Sequence, residues 1–192
     1  WRFLFFELFA KRSPDMRVHK AKRIARAPFT LLFGRVSSRV ELLVGVVREC
    51  RMRGNPKAAA FFAHLLEKYG VFVSGKAEIG KGLKLPHPTA IVIGEGVVIG
   101  SGVTVYQSVT LGGRVIGDWQ KGSYPHIGDD TVLFAGVVVV GKVKVGKNCI
   151  IGANSVVLGD IPDNSVAVGA PARVVRTLDD FKEKQLNGHS DD

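Results

Sequence analysis

The sequence predicts a mainly β protein, a parallel β-helix preceded by a helical region, on three observations. First, glycine recurs beside aliphatic residues in the second half of the chain. Second, apolar residues at helical spacing are confined to the first 69 residues. Third, aliphatic residues recur every six positions in two runs, at Ile93, Ile99, Val105, Leu111, Ile127, Leu133, Val139, Val145, Ile151 and Val157.

A period of six is neither helical nor a simple strand alternation, and it is typical of short strands joined by tight turns. We expect each aliphatic residue that opens a hexad to point inward and to stack on its equivalents in adjoining coils. The small residue that often follows lets the backbone turn a corner. Because one coil cannot bury its apolar side alone, stacked coils stabilise one another.

Residues 1–69 are predicted to form helices, interrupted near Pro14, Pro28 and the Gly54-Asn55-Pro56 run. The β-helix is predicted over 70–176, with its earliest hexads displaced by two residues around His87. Residues 112–126 break the period and are rich in glycine, which predicts a loop extruded from a corner of the coil. A polar tail is predicted over 177–192.

The net charge of +10 lies entirely in the first 70 residues. Such an excess is common on a solvated helix surface, but it also suits anionic lipid head groups. The aromatic stretch Trp1–Ala10 is too short to span a bilayer, and could lie at its interface or pack in a bundle. No recognition motif supports nucleic-acid binding. Cys50 and Cys149 lack metal-ligand neighbours and are predicted to be buried free thiols.

Four segments carry a resemblance to a known family. They are Leu85–Glu95, Gln107–Gly113, Ile151–Leu158 and Val168–Arg173. Together they resemble hexapeptide-repeat acyltransferases and, within them, serine O-acetyltransferases, over about Val71 to Val175. The resemblance implies a left-handed coil, acetyl-CoA as donor, no metal and a homotrimer in which neighbouring copies complete each site.

The resemblance places His87 at the position of the catalytic histidine, which takes a proton from the attacking hydroxyl. A histidine suits this role because its pKa lies near working pH. Pro86 and Pro88 stiffen the backbone around it. Without the resemblance, His87 would be interpreted as a surface histidine at a corner. His126 is a second candidate, either facing the acceptor hydroxyl or pinning the loop.

The acceptor pocket departs from the serine acetyltransferase pattern. Phe72 stands where that family has an orienting Asp, Pro86 replaces the Asp before the catalytic His, and Ser123-Tyr124 replaces an Arg-His pair. An amino-acid acceptor needs charged partners, so these departures favour a sugar or polysaccharide acceptor, with serine as the alternative. The run from Tyr124 to Gly128 likewise resembles capsule and exopolysaccharide O-acetyltransferases. Glu95 is a candidate to replace the missing Asp.

Candidate binding residues divide into acceptor and donor sets. Trp119 and Tyr124 could stack on a sugar ring or simply pack, and Tyr106 and Gln107 could touch the acceptor or lie on the coil surface. Small residues would admit the donor's pantetheine arm, although a tight corner alone also requires them. Two arginines would meet phosphates or cap the prism. The donor set is Gly112, Gly113, Ala135, Gly136, Ala153, Ala170, Arg173 and Arg176.

Two other function classes compete with acetyl transfer. A zinc hydro-lyase on the same solenoid needs three converging histidines, and the coil contains only His87 and His126. A non-enzymatic scaffold would bind CoA weakly or not at all. Because the chain ends in Asp191-Asp192 instead of the Ile that serine acetyltransferases dock, no complex with cysteine synthase is expected. The predicted location is cytoplasmic, with possible contact to the inner face of the membrane.

Overall fold

A computed structural model describes residue 30, residues 34–115, residue 120 and residues 122–178. Two helices lead into the coil, α1 (Val36–Met52) and α2 (Pro56–Glu67). The break between them falls at the predicted Gly54-Asn55-Pro56 run. There the Asn55 side chain accepts a hydrogen bond from Ala58 N at 3.0 Å, and Pro56 occupies the first helical position. The other predicted breaks lie outside the described residues.

Short strands follow in regular succession and form a parallel β-helix, as the hexads predict. Their bounds are β1 (Val71–Val73), β2 (Glu78–Ile79), β3 (Ile91–Ile93), β4 (Val98–Ile99), β5 (Thr104–Val105), β6 (Thr110–Gly112), β7 (His126–Ile127), β8 (Val132–Leu133), β9 (Val138–Val140), β10 (Lys144–Val145), β11 (Ile150–Ile151), β12 (Val156–Val157), β13 (Ser165–Val168) and β14 (Arg173–Thr177).

The strands form three sheets that make the sides of a prism. Sheet A has the order β1-β3-β6-β9-β12, sheet B β10-β7-β4-β2, and sheet C β14-β13-β11-β8-β5. Every pairing is parallel except β13 with β14, which is antiparallel. The chain visits the sheets in the repeating order A, B, C. We name the corners after the sheets they join: the AB edge, the BC edge and the CA edge.

The core is the interior of the prism. The ten residues that open the hexads from Ile93 onward are buried there, at most 2% exposed, which confirms the prediction. A second inward position, two residues before each opener, was not predicted. It is occupied by Ile91, Val97, Val103, Val109, Pro125, Thr131, Val137, Val143, Cys149 and Ser155, all buried. Each coil thus contributes two inward side chains per side, and the polar Thr131 is satisfied by Gly146 O at 2.8 Å.

Close backbone approach explains a glycine at the BC edge. A Cβ built on Gly128 would lie 2.5 Å from the carbonyl carbon of Gly146 in the next coil. Since real Cβ atoms do not approach backbone so closely, this corner excludes any larger residue. Glycine in the second position of the hexad is here a packing requirement.

Different elements close the two ends of the prism. Helix α1 reaches the first coil through Arg51, whose Nη2 lies 3.2 Å from Glu78 Oε1, and through Glu41, which accepts a hydrogen bond from Leu85 N at 2.8 Å. At the other end β14 returns antiparallel along β13. Each cover satisfies backbone groups that a terminal strand would leave unpaired.

No helix within the described ranges is both long and apolar enough to cross a bilayer. The aromatic stretch and the basic cluster, on which the prediction of membrane-surface contact depends, lie outside those ranges. So does most of the predicted polar tail.

Candidate functional site

His87 lies exposed at the CA edge, in the turn between the first sheet C strand position and β3. Leu85 before it points into the core, Pro88 after it is buried, and Pro86 is half-buried. The His87 carbonyl accepts a hydrogen bond from Thr89 N at 2.9 Å. Ala90 ends the turn with a φ of 52°. The backbone is therefore fixed on both sides of an imidazole that faces solvent.

An aromatic ladder runs along the CA edge beside His87. The ring centroids of His87 and Tyr106 lie 6.0 Å apart at an interplanar angle of 47°. The Tyr106 ring stacks in turn on Phe134, at 5.1 Å and 12°. Phe134 is 38% exposed and was not among the candidates from the sequence. The signal for it was available, because an aromatic residue there occupies the hexad position that glycine usually fills.

The predicted acceptor residue Gln107 follows Tyr106 in the same corner. Its carbonyl accepts a hydrogen bond from Gly136 N at 3.0 Å, which joins adjacent coils. Its side-chain Oε1 is buried and has no hydrogen-bond partner among the described residues. Tyr106 therefore lies beside His87, and Gln107 follows it in the same corner.

Several of the predicted donor-binding residues lie in line along the same CA edge. Asn154 N donates to Ala135 O at 2.9 Å, so Ala135 and Ala153 occupy successive turns of this corner, and Ala170 lies in the next. Gly136 has a φ of 71°, which gives it a conformational role without any ligand. Arg173 and Arg176 lie on β14 at the end of sheet C, and Arg173 Nη1 donates to Ala172 O at 3.0 Å.

Gly112 and Gly113 instead lie at the AB edge, where β6 ends and the predicted loop leaves the coil. A Cβ built on Gly112 would meet nothing within 4 Å. Coil packing therefore does not require glycine here, in contrast to Gly128. Within one chain the predicted donor set is divided between two edges that flank sheet A.

One of the two predicted sugar-stacking residues, Tyr124, does not fit that prediction. Tyr124 is only 8% exposed, and its ring packs so closely over Gly96 that a Cβ there would lie 2.9 Å from Tyr124 Cε2. A ring with its face covered by backbone cannot stack on a ligand, so packing, the alternative interpretation, is the better one. Trp119 lies outside the described residues.

His126 is separated from His87 within one chain. It was assigned to the loop, but it begins strand β7 in sheet B, since its N–H donates to Val143 O at 2.8 Å. Sheet B is the side of the prism opposite the CA edge. A single chain therefore does not bring the two predicted catalytic histidines together.

Glu95 does not approach His87 either. It lies in the turn after β3 at the AB edge and pairs with Lys76. Glu41, which the sequence analysis did not single out, is the acidic side chain that contacts the His87 segment, through Leu85 N. Nothing in the sequence pairs residues 41 and 85, because helix α1 docks on the prism end by tertiary packing.

The described residues contain no group of three or more His, Cys, Asp or Glu side chains placed to hold a metal ion. Both cysteines are buried and free, as predicted. Burial raises the pKa of the Cys149 thiol, with the Asp163 carboxylate adding to the effect. Burial likewise raises the pKa of Cys50. Neither thiol is suited to act as a nucleophile.

Residues 124–159 match the bacterial transferase hexapeptide model, described as six repeats. A serine acetyltransferase of Staphylococcus aureus is 44% identical over 107 residues, which are 56% of this chain and 49% of that protein. A soybean serine acetyltransferase complexed with serine superposes with a TM-score of 0.64 at 30% identity, covering 81% of this chain and 69% of the soybean chain. The chain belongs to the hexapeptide-repeat acyltransferase family.

Its similarity within that family is to serine acetyltransferases, whose left-handed β-helix it shares. A further serine acetyltransferase, solved in complex with CoA, has a TM-score of 0.65 at 31% identity and covers 76% of this chain and 59% of that one. The chain spans about a third to a half of the length of the curated relatives it matches.

The expectation of a sugar or polysaccharide acceptor is wrong. It was inferred from the replacement of acidic and basic residues, yet the relatives that match this hexapeptide-repeat acyltransferase are named serine acetyltransferases at up to 44% identity. The predicted link to capsule biosynthesis has no support either. That inference gave three replaced residues more weight than the similarity of the whole coil. A charge that is lost at one position can, however, be supplied by a residue of another element.

Proposed function

We propose that this protein is a serine O-acetyltransferase that uses acetyl-CoA as donor. The observation that carries the proposal is an exposed histidine, His87, fixed at the CA edge in the segment that resembles the catalytic segment of serine acetyltransferases. The described relatives, 44% and 30% identical, support serine as the acceptor.

His87 would act as general base. Its imidazole takes the proton of the serine hydroxyl as that oxygen attacks the thioester carbonyl of acetyl-CoA. The tetrahedral intermediate then collapses, the C–S bond breaks, and the imidazolium returns the proton to the departing CoA sulfur. The products are O-acetylserine and CoA. Tyr106 packs beside the imidazole and would limit its orientations.

A trimer would bring the divided donor residues together. Sheet A is bounded by the CA edge on one side and the AB edge on the other. When sheet A of each copy faces a common threefold axis, the CA edge of one copy meets the AB edge of the next. His87 and Ala135 of one chain would then face Gly112 and Gly113 of its neighbour across a groove.

The outer surface of sheet A supports that orientation. Its outward residues stand in register from coil to coil and are almost wholly apolar: Phe72, Val92, Thr110, Val138 and Val156. Phe72 is 47% exposed and Val92 39%. Sheet B presents Glu78, Val98, His126 and Lys144 instead, of which only Val98 is apolar. An apolar face of this kind favours burial against another copy.

The test is release of free thiol from acetyl-CoA in the presence of serine, by the wild-type protein, His87→Ala and the control His64→Ala. His64 is exposed on α2 and pairs with Glu67, away from the coil. We expect release by the wild type and the control and a loss of at least about a hundredfold in His87→Ala. A wild type that binds acetyl-CoA but releases no thiol with serine would overturn the proposal.

A further inference from the structure

A serine acceptor brings a positive charge to the edge where His87 lies. Its ammonium group needs a negatively charged partner, because a desolvated and unpaired charge is costly. The residues nearest His87 in sequence do not supply one, since Pro86 and Pro88 flank it. Phe72, in β1 of the same first coil, is apolar as well.

The other described carboxylates have partners within the chain or lie at the BC edge. Glu49 pairs with Arg53 and Glu67 with His64 within the helices, while Glu78 pairs with Arg51 beside sheet B. At the AB edge, which the proposed trimer sets against the CA edge of a neighbour, Glu95 pairs with Lys76 and Asp160 accepts a hydrogen bond from Lys144 N. Asp129, Asp130 and Asp163 lie at the BC edge.

Glu41 differs from all of these in position. Helix α1 carries it to the end of the prism, where its Oε1 accepts the Leu85 N–H at 2.8 Å in a partly buried contact. Leu85 lies two residues before His87. Within the described part of the chain this is the one interaction of the Glu41 side chain. A carboxylate has about four acceptor sites, so Glu41 can receive a further donor.

We propose that Glu41 is the acceptor-binding carboxylate of this protein and pairs with the ammonium group of serine while His87 takes the hydroxyl proton. This inference rests on the proposed serine acetyltransferase function and names a residue that sets its acceptor specificity. The Leu85 N–H holds one oxygen of Glu41 in place, and the second oxygen is the one assigned to the ammonium group. Glu41 thereby replaces charge that Phe72 and Pro86 do not provide.

A purely structural role for Glu41 makes a different prediction. The Leu85 N–H belongs to the first strand position of sheet C, which has no preceding coil to accept its hydrogen bond. Glu41 could therefore serve only to cap that group. Glutamine keeps an acceptor oxygen at the same place and removes the charge, so Glu41→Gln preserves the cap and abolishes an ion pair with the acceptor.

The experiment measures steady-state thiol release with the full chain as wild type, Glu41→Gln and the control Glu49→Gln from the same helix. We expect Glu41→Gln to raise KM for serine by about 10- to 100-fold, the effect of losing a charged hydrogen bond. Its KM for acetyl-CoA and its melting temperature should stay at wild-type values, as should every parameter of Glu49→Gln. As a competitive inhibitor, 3-hydroxypropionate, which is serine without its amino group, should bind both proteins equally.

Three outcomes would count against the acceptor-binding role of Glu41 or against the proposed function on which it rests. An unchanged KM for serine in an active Glu41→Gln enzyme would leave Glu41 as a cap only. Equal weakening of serine and 3-hydroxypropionate would assign the effect to altered local structure and overturn the ion pair. Absence of wild-type transfer to serine would overturn the proposed function itself, and the Glu41 inference with it.

Discussion

The imidazole of His87 and the phenol ring of Tyr106 lie 6.0 Å apart, tilted by 47°, at the corner where sheet C passes into sheet A. Because Tyr106 also stacks on Phe134, its ring is held from both sides, and it forms a fixed wall beside an otherwise exposed histidine.

Removal of that wall should impair catalysis more than stability. We expect Tyr106→Ala to lower kcat by about tenfold or more, because the His87 ring gains orientations that do not lead to proton transfer. Tyr106→Phe keeps the ring and should restore kcat. The pH profile of kcat/KM distinguishes this from general destabilisation. A Tyr106→Ala enzyme with wild-type kcat would contradict a positioning role.

Two glycine positions should respond oppositely to alanine. Gly128→Ala places a Cβ 2.5 Å from the Gly146 carbonyl carbon, and we expect it to lower the free energy of unfolding by about 1–3 kcal/mol. Gly112→Ala enters open space and should change that free energy by less than about 0.5 kcal/mol. Urea unfolding of both variants provides the measurement.

Gly112→Ala should nevertheless raise KM for acetyl-CoA if the donor groove passes Gly112. Since the variant is expected to fold normally, a changed KM reports on the groove and not on the coil. An unaltered KM for acetyl-CoA would remove Gly112 from the donor site.

A charge on the outer face of sheet A should dissociate the proposed trimer. Val92→Asp places a carboxylate in the apolar row and should yield monomers with little activity, because each groove needs two copies. Val98→Asp, on the outer face of sheet B, is the matched control and should leave the assembly intact. Light scattering gives the mass of each variant, and a trimeric Val92→Asp would refute this orientation.

The buried thiols should make the fold sensitive to alkaline pH. Burial raises the pKa of Cys149 and Cys50 above that of the unfolded thiols. Above about pH 8.5, the unfolded chain therefore loses these protons before the folded one, and stability falls as pH rises through the interval between the two pKa values. Denaturant unfolding of Cys149→Ala across this range should show a shallower decline than the wild type. Equal slopes would contradict the contribution of that thiol.

The repeating part of this structure could be predicted from sequence because each hexad has the same local cause. Ile93 and Val157 are buried for the same reason, because each occupies an inward position at the end of a strand. The six-residue period makes that position recognisable in the sequence. The second inward position was not predicted because Thr131, Cys149 and Ser155 are polar or small, so the position shows no regular aliphatic pattern.

The site was harder to predict because its parts come from different levels of structure. His87 was identified from a local segment. Glu41 is 44 residues away in sequence from Leu85, and it contacts the His87 segment only because helix α1 packs on the end of the prism. His126 was a candidate to face the same acceptor hydroxyl or to pin the loop, whereas within one chain the prism places it on the side opposite His87.

The antiparallel return of β14 along β13 has a consequence for the length of the solenoid. A stack of parallel coils has no internal signal that ends it, because the last coil offers the same ladder of backbone groups as any other. Two molecules could then join end to end into a fibre. By reversing direction, β14 occupies the ladder of sheet C with a strand that cannot be continued as a further coil. The β14 hairpin thus acts as a stop to polymerisation.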